Sequence, residues 1–176
     1  MYPIVRMIKE LAVHSRASSL PLEGVHVSRH ICWPWDLDIW LELNNGRTLT
    51  LFDLGRIPLA RRVGLIDVLK KNGWGLTVAG ATVRYRRRIR VFDRVEMRSR
   101  AIGWDGRFFY VEQSMWKRGE ATTHALLRMA VTGPEGIVAP ARVAEALGHG
   151  GDSPPLPDWV RAWIEAENLR PWPPQM

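Results

Sequence analysis

A single cysteine, Cys32, stands in 176 residues. It excludes an internal disulfide and any zinc centre built from several thiolates, and it suits a reducing compartment, expected here to be the cytoplasm. Long apolar runs are missing too. The most apolar stretch near the start, residues 1–13, is interrupted by Arg6, Lys9 and Glu10 and reads as neither a signal-peptide core nor a membrane span. The five histidines include no i, i+4 pair on a predicted helix, and His26 and His30, four residues apart on an extended strand, would stand about 13 Å from each other, too far for one metal ion. The chain has no G-x-S-x-G elbow, no phosphate loop and no dinucleotide fingerprint, which removes the usual support for serine-hydrolase, NTPase and nicotinamide chemistry.

What is present describes an ordinary folded domain. Hydrophobic residues make up 46% of the chain and nine are tryptophan, which excludes a disordered polymer. A domain of this size buries about 70% of the surface its unfolded chain exposes, so it needs no staple. Lysine and arginine number 25 against 18 acids, a net charge of +7 with a pI of 10.3. Such a field attracts nucleic acid or a membrane surface, and it equally suits a domain that holds one phosphorylated small molecule.

Periodicity divides the chain. Ile4, Val5, Ile8, Leu11 and Ala12 share a helical face and predict a short amphipathic helix over 4–13, a lid docked by that face or, alternatively, a membrane-surface helix. With its linker it forms a segment 1–22. Val25, Val27 and Ile31 alternate with His26, Ser28 and His30, predicting a half-buried strand that ends at Trp33-Pro34. Residues 46–71 predict a long helix, apolar around most of its circumference and therefore buried, capped by Asn44 or Asn45, kinked or split at Pro58 and stopped by Gly73. Four strands follow over 77–92, 95–104, 108–117 and 122–132, with Asp105-Gly106 marking a hairpin. The connections are short, so the economical architecture for a domain over 23–148 is an α+β antiparallel sheet wrapped around the long helix. A segment 149–176 follows a short helix over 140–147. It contains a turn-rich stretch, a final amphipathic helix from a capping Asp158 to about Arg170, and a Pro-rich tail expected to be disordered.

The chemistry concentrates in 36–47. Carboxylates at Asp36, Asp38 and Glu42 lie just upstream of the amino-terminal end of the buried helix, where Asn44 and Asn45 stand. Unpaired amides and the partial positive charge at such an end polarise a carbonyl and stabilise an oxyanion. A nearby carboxylate activates water or attacks the carbonyl, so these parts suit acyl transfer. A blander arrangement, in which the acids and asparagines only cap the helix, is open on the same residues.

Residues 38–56, D-I-W-L-E-L-N-N-G-R-T-L-T-L-F-D-L-G-R, resemble the signature of hotdog-fold acyl-CoA thioesterases of the 4-hydroxybenzoyl-CoA thioesterase type, with the similarity extending over roughly 25–132. The resemblance implies a hotdog fold, with Asp38 as base or nucleophile on the thioester carbonyl and helix-start amides around Asn44 and Asn45 holding the carbonyl oxygen. It further implies a homodimer or dimer of dimers with the acyl site between subunits. No separate cofactor is expected, coenzyme A being part of the substrate. Three positions depart from the signature: Leu41 takes the glycine place, Glu42 the histidine place, as a candidate substitute base, and Thr48 the tyrosine place. These departures open a second reading, an acyl-CoA-binding scaffold with weak catalysis.

Arg84, Arg86, Arg88 and Arg90 would share one face of the 77–92 strand and, with Arg47 and Thr48, are candidates to hold the substrate and the phosphates of coenzyme A. Arg87 breaks the opposite, apolar face. The same stripe could instead be a solvated face paired with Glu96 and Glu112. A nucleic-acid reading, not the one expected, would stack bases on Phe108 and Tyr110. Asp53 and Arg56 read as a buried i, i+3 pair, and Cys32 as a small buried hydrophobe.

Overall fold

The computed structural model describes residues 2–150 and 152–175. In chain order the elements are α1 (Ile4–Val13), β1 (His26–Ile31), α2 (Asn45–Arg62), α3 (Leu65–Asn72), β2 (Gly75–Tyr85), β3 (Arg94–Trp104), β4 (Phe109–Lys117), β5 (Glu120–Gly133), β6 (Gly136–Val138), α4 (Pro140–Ala146) and α5 (Asp158–Asn168). Every strand pairing is antiparallel, in the order β1-β3-β4-β5-β2, with β6 on the end of β5. The sheet curls around α2, the arrangement of a hotdog α+β domain. Leu51, Phe52, Leu54 and Leu59 of α2 pack in one core with Met97, Met115, Leu127, Met129 and Val131 of the sheet. Each such side chain contributes roughly 1.5–3 kcal/mol relative to leaving it in water.

The long helix breaks at a different residue from the one expected. Pro58 lies inside α2, and the split comes at Gly64, whose φ of +81° lets the chain turn into α3 where a side chain would strain it. Asn44 caps α2 through its side chain, which accepts the Arg47 amide at 2.9 Å. The Asp105-Gly106 hairpin forms as read, with Asp105 Oδ1 accepting the amides of Arg107 and Phe108 at 2.7 Å. At α5 the cap is Pro157, with Asp158 in the first turn. Val160, Trp163 and Ile164 pack back on Ile102, Tyr110 and Leu126 as their spacing suggested. Residues 171–175 carry no helix or strand, while Met1, Gly151 and Met176 lie outside the described residues.

Two segments reverse the sidedness that their apolar periodicity implied. In β1 the buried side chains are His26, Ser28 and His30, and Val25 and Val27 face out. In α1 the inward positions are Met7 and Glu10, while Ile4, Val5 and Ile8 are exposed. The reversals share one cause. Glu10 meets the rings of His14 and His30 at 3.6 and 3.8 Å, His30 Nε2 pairs with Ser28 Oγ at 2.8 Å, and Arg62 donates to His26 Nδ1 at 3.1 Å. The polar sides of α1 and β1 meet each other and Arg62 of α2 in a buried layer, which leaves the apolar sides outside.

The arginine stripe also folds differently from its predicted form. β2 stops at Tyr85, seven residues short of the predicted end, because the amides of Arg86 and Arg87 both turn onto the Thr122 carbonyl and leave the ladder. Residues 86–92 form a loop closed by Asp93, whose carboxylate accepts the Arg90 amide at 2.7 Å. Arg84, Arg86, Arg88 and Arg90 therefore share no strand face. Nor do Glu96 and Glu112 pair with them: Glu96 meets Arg29 and Arg98, and Glu112 meets Arg100 and His124.

Candidate active site

Between β1 and α2 the chain makes a tight loop. The Asp38 amide donates to the Glu42 carbonyl at 2.9 Å, the Leu41 amide to the Asp38 carbonyl at 3.1 Å, and Leu37 bridges Leu43. Closing that turn puts Leu41 at φ +58°, the left-handed region that glycine adopts freely. The leucine in the signature's glycine place thus holds a backbone conformation that glycine adopts freely. Asp38 Oδ1 accepts the Trp40 amide at 2.9 Å, orienting the carboxylate.

Asp36, fully buried, anchors the loop from beneath. Its carboxylate takes Arg6 and Arg47, each at 2.7 Å, and the Trp33 amide at 3.0 Å. Burial works to raise its pKa, but hydrogen bonds from Arg47, Trp33 and Arg6 outweigh that and hold it below the ordinary carboxylate value. Asp36 is structural: its charge is spent on two guanidinium groups. The Leu43 amide donates to the Ile89 carbonyl at 2.8 Å, which ties the loop to residues 86–92 across the fold.

Where these two loops meet α2 there is a cleft of about 340 Å³. Asp38, Glu42, Asn45, Thr48, Arg86 and Arg88, all picked out in the sequence, line it together. Asn44 and Arg47 instead line a neighbouring hollow with Asp36, Tyr2 and Trp35, and Arg84 is exposed on β2 outside both. The cleft also contains residues that the sequence reading missed as site residues: Trp40, Tyr85, Arg87 and Thr123. Arg87 carried a usable signal, since a charge on the apolar side of a strand pattern marks where the strand has ended. Tyr85 carried none; its hydroxyl reaches the Asn45 carbonyl at 3.3 Å only because β2 ends beside α2.

Chemically the cleft joins three features. Asn44 caps the Arg47 amide and donates its own amide to the Asp36 carbonyl, which leaves Asn45 and Gly46 as the uncapped first amides of α2, at the positive end of its dipole. The Asp38 carboxylate opens onto the same space. Three successive arginines form the opposite wall, with Arg88 Nε 3.2 Å from Glu42 Oε2 and Arg87 Nε 2.9 Å from Glu120 Oε1. Thr48, in the tyrosine place, is buried and gives its hydroxyl to the Asn44 carbonyl at 3.1 Å.

Other candidates resolve differently. Asp53 and Arg56 form the expected ion pair, and Arg56 also donates to Gln113 Oε1 at 3.0 Å. Burial, reinforced by Asp36 and Asp93, pushes the Cys32 thiol up to about 11, so it is no nucleophile. Tyr110 is buried and bonded to Asp105, which removes the stacking surface a nucleic-acid reading required. Among the described residues no group of three or more His, Cys, Asp or Glu side chains could hold a metal ion.

Comparison with known proteins agrees with this fold. A family model described as the thioesterase-like superfamily matches residues 32–164. Protein THEM6 of Xenopus laevis is 33% identical over 143 residues, 80% of this chain and 67% of its own length, and Protein THEM6 of Danio rerio is 27% identical over 130 residues, 73% and 63%. The chain thus spans about two thirds of the length of these relatives. Among solved structures, Slr0204, a 1,4-dihydroxy-2-naphthoyl-CoA thioesterase from Synechocystis, superposes with a TM-score of 0.61 at 10% identity, covering 70% of this chain and 95% of that one. A DHNA-CoA thioesterase from Staphylococcus aureus gives 0.60 at 15% identity, covering 82% and 92%. At such identities the structures speak for the fold alone.

Proposed function

The chain belongs to the thioesterase-like superfamily, and from that premise we propose that it hydrolyses the thioester of a fatty or aromatic acyl-CoA in the cleft beside Asp38. One observation carries the reading: the Asp38 carboxylate, the uncapped start of α2 and a wall of arginines share a single cleft although the arginines come from a stretch far along the chain from the other two. The thioester carbonyl oxygen would accept from the Asn45 and Gly46 amides, which favour the negative charge that develops on it. Asp38 takes a proton from water as its oxygen bonds to the carbonyl carbon. The C–S bond then breaks, and the proton passes to the thiolate, giving a carboxylic acid and coenzyme A. Arg86, Arg87 and Arg88 would hold the phosphates of coenzyme A, for which guanidinium is the matching donor. Coenzyme A enters as part of the substrate, and no further cofactor is invoked.

The test is release of free thiol from a panel of acyl-CoA substrates. Asp38→Asn keeps the shape and hydrogen-bonding reach of the side chain and removes the base, so turnover should fall on the order of a hundredfold or more. Loss of less than a few-fold would remove Asp38 from the chemistry and leave Glu42 as the remaining carboxylate in the cleft. A second reading rests on the Glu42–Arg88 ion pair, which occupies the cleft wall where the signature has histidine. Acyl-CoA affinity without thiol release at any chain length would establish a binding scaffold instead.

A further inference from the structure

Helix α1 is held with its apolar side to solvent. Ile4, Val5, Ile8 and Ala12 follow one another at i, i+1, i+4 and i+8, and all are exposed, Val5 by 81% and Ile8 by 62%. Turning the helix over is prevented by its polar side. Arg6 is bound to buried Asp36 at 2.7 Å and to the Ile31 carbonyl at 3.1 Å, and Glu10, only 3% exposed, lies between His14 and His30. Rotation would take Arg6 from buried Asp36 and Glu10 from buried His30, leaving both of those groups inside the fold short of a partner.

The surface around the stripe carries mainly cations, with aromatics at one end, where Tyr2 meets the Asp53 carboxylate. Glu10 is the only acid of α1 and faces inward, pairing with Lys9 at 3.2 Å, and Lys9, Arg16 and Arg61 are exposed. Arg61 reaches the Leu11 carbonyl from α2, so its cation borders the helix. Tyr2 and Trp35, 42% and 65% exposed, line one hollow together at the start of α1. The helix sequence by itself has neither interfacial aromatics nor a basic rim, and the fold supplies both from the segment before it, from the 33–36 turn and from α2.

We propose that this face docks the protein on an anionic phospholipid surface, with Ile4, Val5 and Ile8 entering the headgroup boundary, Tyr2 and Trp35 at the interface, and Lys9, Arg16 and Arg61 against the lipid charges. An exposed apolar stripe bordered by cations and amphipathic aromatics matches the chemistry of that boundary, where apolar burial and electrostatic attraction add. The inference stands apart from the thioesterase reading: it uses no residue of the Asp38 cleft.

Co-sedimentation of the full chain with phosphatidylcholine vesicles, with and without phosphatidylserine, tests it. Binding is expected to require phosphatidylserine and to weaken as salt rises. Val5→Glu with Ile8→Glu should lower the partition at least about tenfold, and Arg16→Gln and Arg61→Gln about fivefold per cation removed. These positions are exposed, and an unchanged circular dichroism spectrum and melting midpoint verify that each variant folds. Three results would overturn the proposal: no sedimentation with either vesicle, equal sedimentation of the Val5→Glu/Ile8→Glu variant, or a vesicle-independent self-association that this variant abolishes, which would give the face to a second copy of the chain.

Discussion

Leu41 shows what one residue can store. A leucine at φ +58° pays roughly 1–2 kcal/mol for the left-handed conformation, and here the side chain is exposed and recovers little by burial. Glycine removes that strain but loses about 0.5–1 kcal/mol to the entropy of the unfolded chain. Leu41→Gly should therefore leave stability level or raise it by up to about 1 kcal/mol, read as an upward shift of the thermal midpoint. A clear drop would mean that the leucine makes a stabilising contact at the cleft. Glu42 departs from the signature at the same turn. Its ion pair with Arg88 is largely solvated on the arginine side, so it is worth little to stability and can open for a ligand at small cost.

Among elements, α1 and β1 depend on each other through their buried histidines. Arg62 donates to His26 Nδ1, so the neutral ring carries its proton on Nε2, a buried atom with no partner among the described residues. Burial, with His14 and Arg62 adding, brings the His26 pKa down to about 4, and burial with Arg6 and Lys9 brings His30 down to about 3. Both lie below the unfolded value of about 6.5. Between those limits the unfolded chain binds more protons than the folded one. The stabilisation is complete above about pH 6.5 and is lost as pH falls toward 4 and then 3. The urea midpoint should decline from pH 7 to about pH 5, with amide protection in α1 and β1 failing first. A midpoint level across that range would contradict a neutral histidine layer.

For the whole molecule, the open sheet matters most. β2 lies at one edge, its outer side unpaired among the described residues, and it ends at Tyr85 beside the cleft. Edges of this length are normally covered, and pairing with a second β2 would bring a partner subunit alongside the cleft. Light scattering should give about twice 20.1 kDa or a multiple of it. A chain of 20.1 kDa that retains full thiol release would show that the site is complete within one subunit.

What could be read from the sequence is what neighbouring residues decide. Element order followed from periods of two and 3.6, Asn44 announced its cap, Asp105-Gly106 its hairpin, and the signature placed Asp38 beside the start of α2, because each depends on residues a few positions apart. Pro58 misled, since a helix packed in a core tolerates a missing amide that an isolated helix would not. Sidedness lay beyond local pattern. Which face of α1 and β1 turns inward depends on Glu10, His26, His30 and Arg62 meeting across the fold, and a buried charge that finds partners outweighs a stripe of aliphatics. Likewise the arginines became a cleft wall only when the Thr122 carbonyl ended β2 and the Ile89 carbonyl drew that loop onto the turn holding Asp38: separate stretches of chain acquire a joint chemistry only through the packing that brings them together.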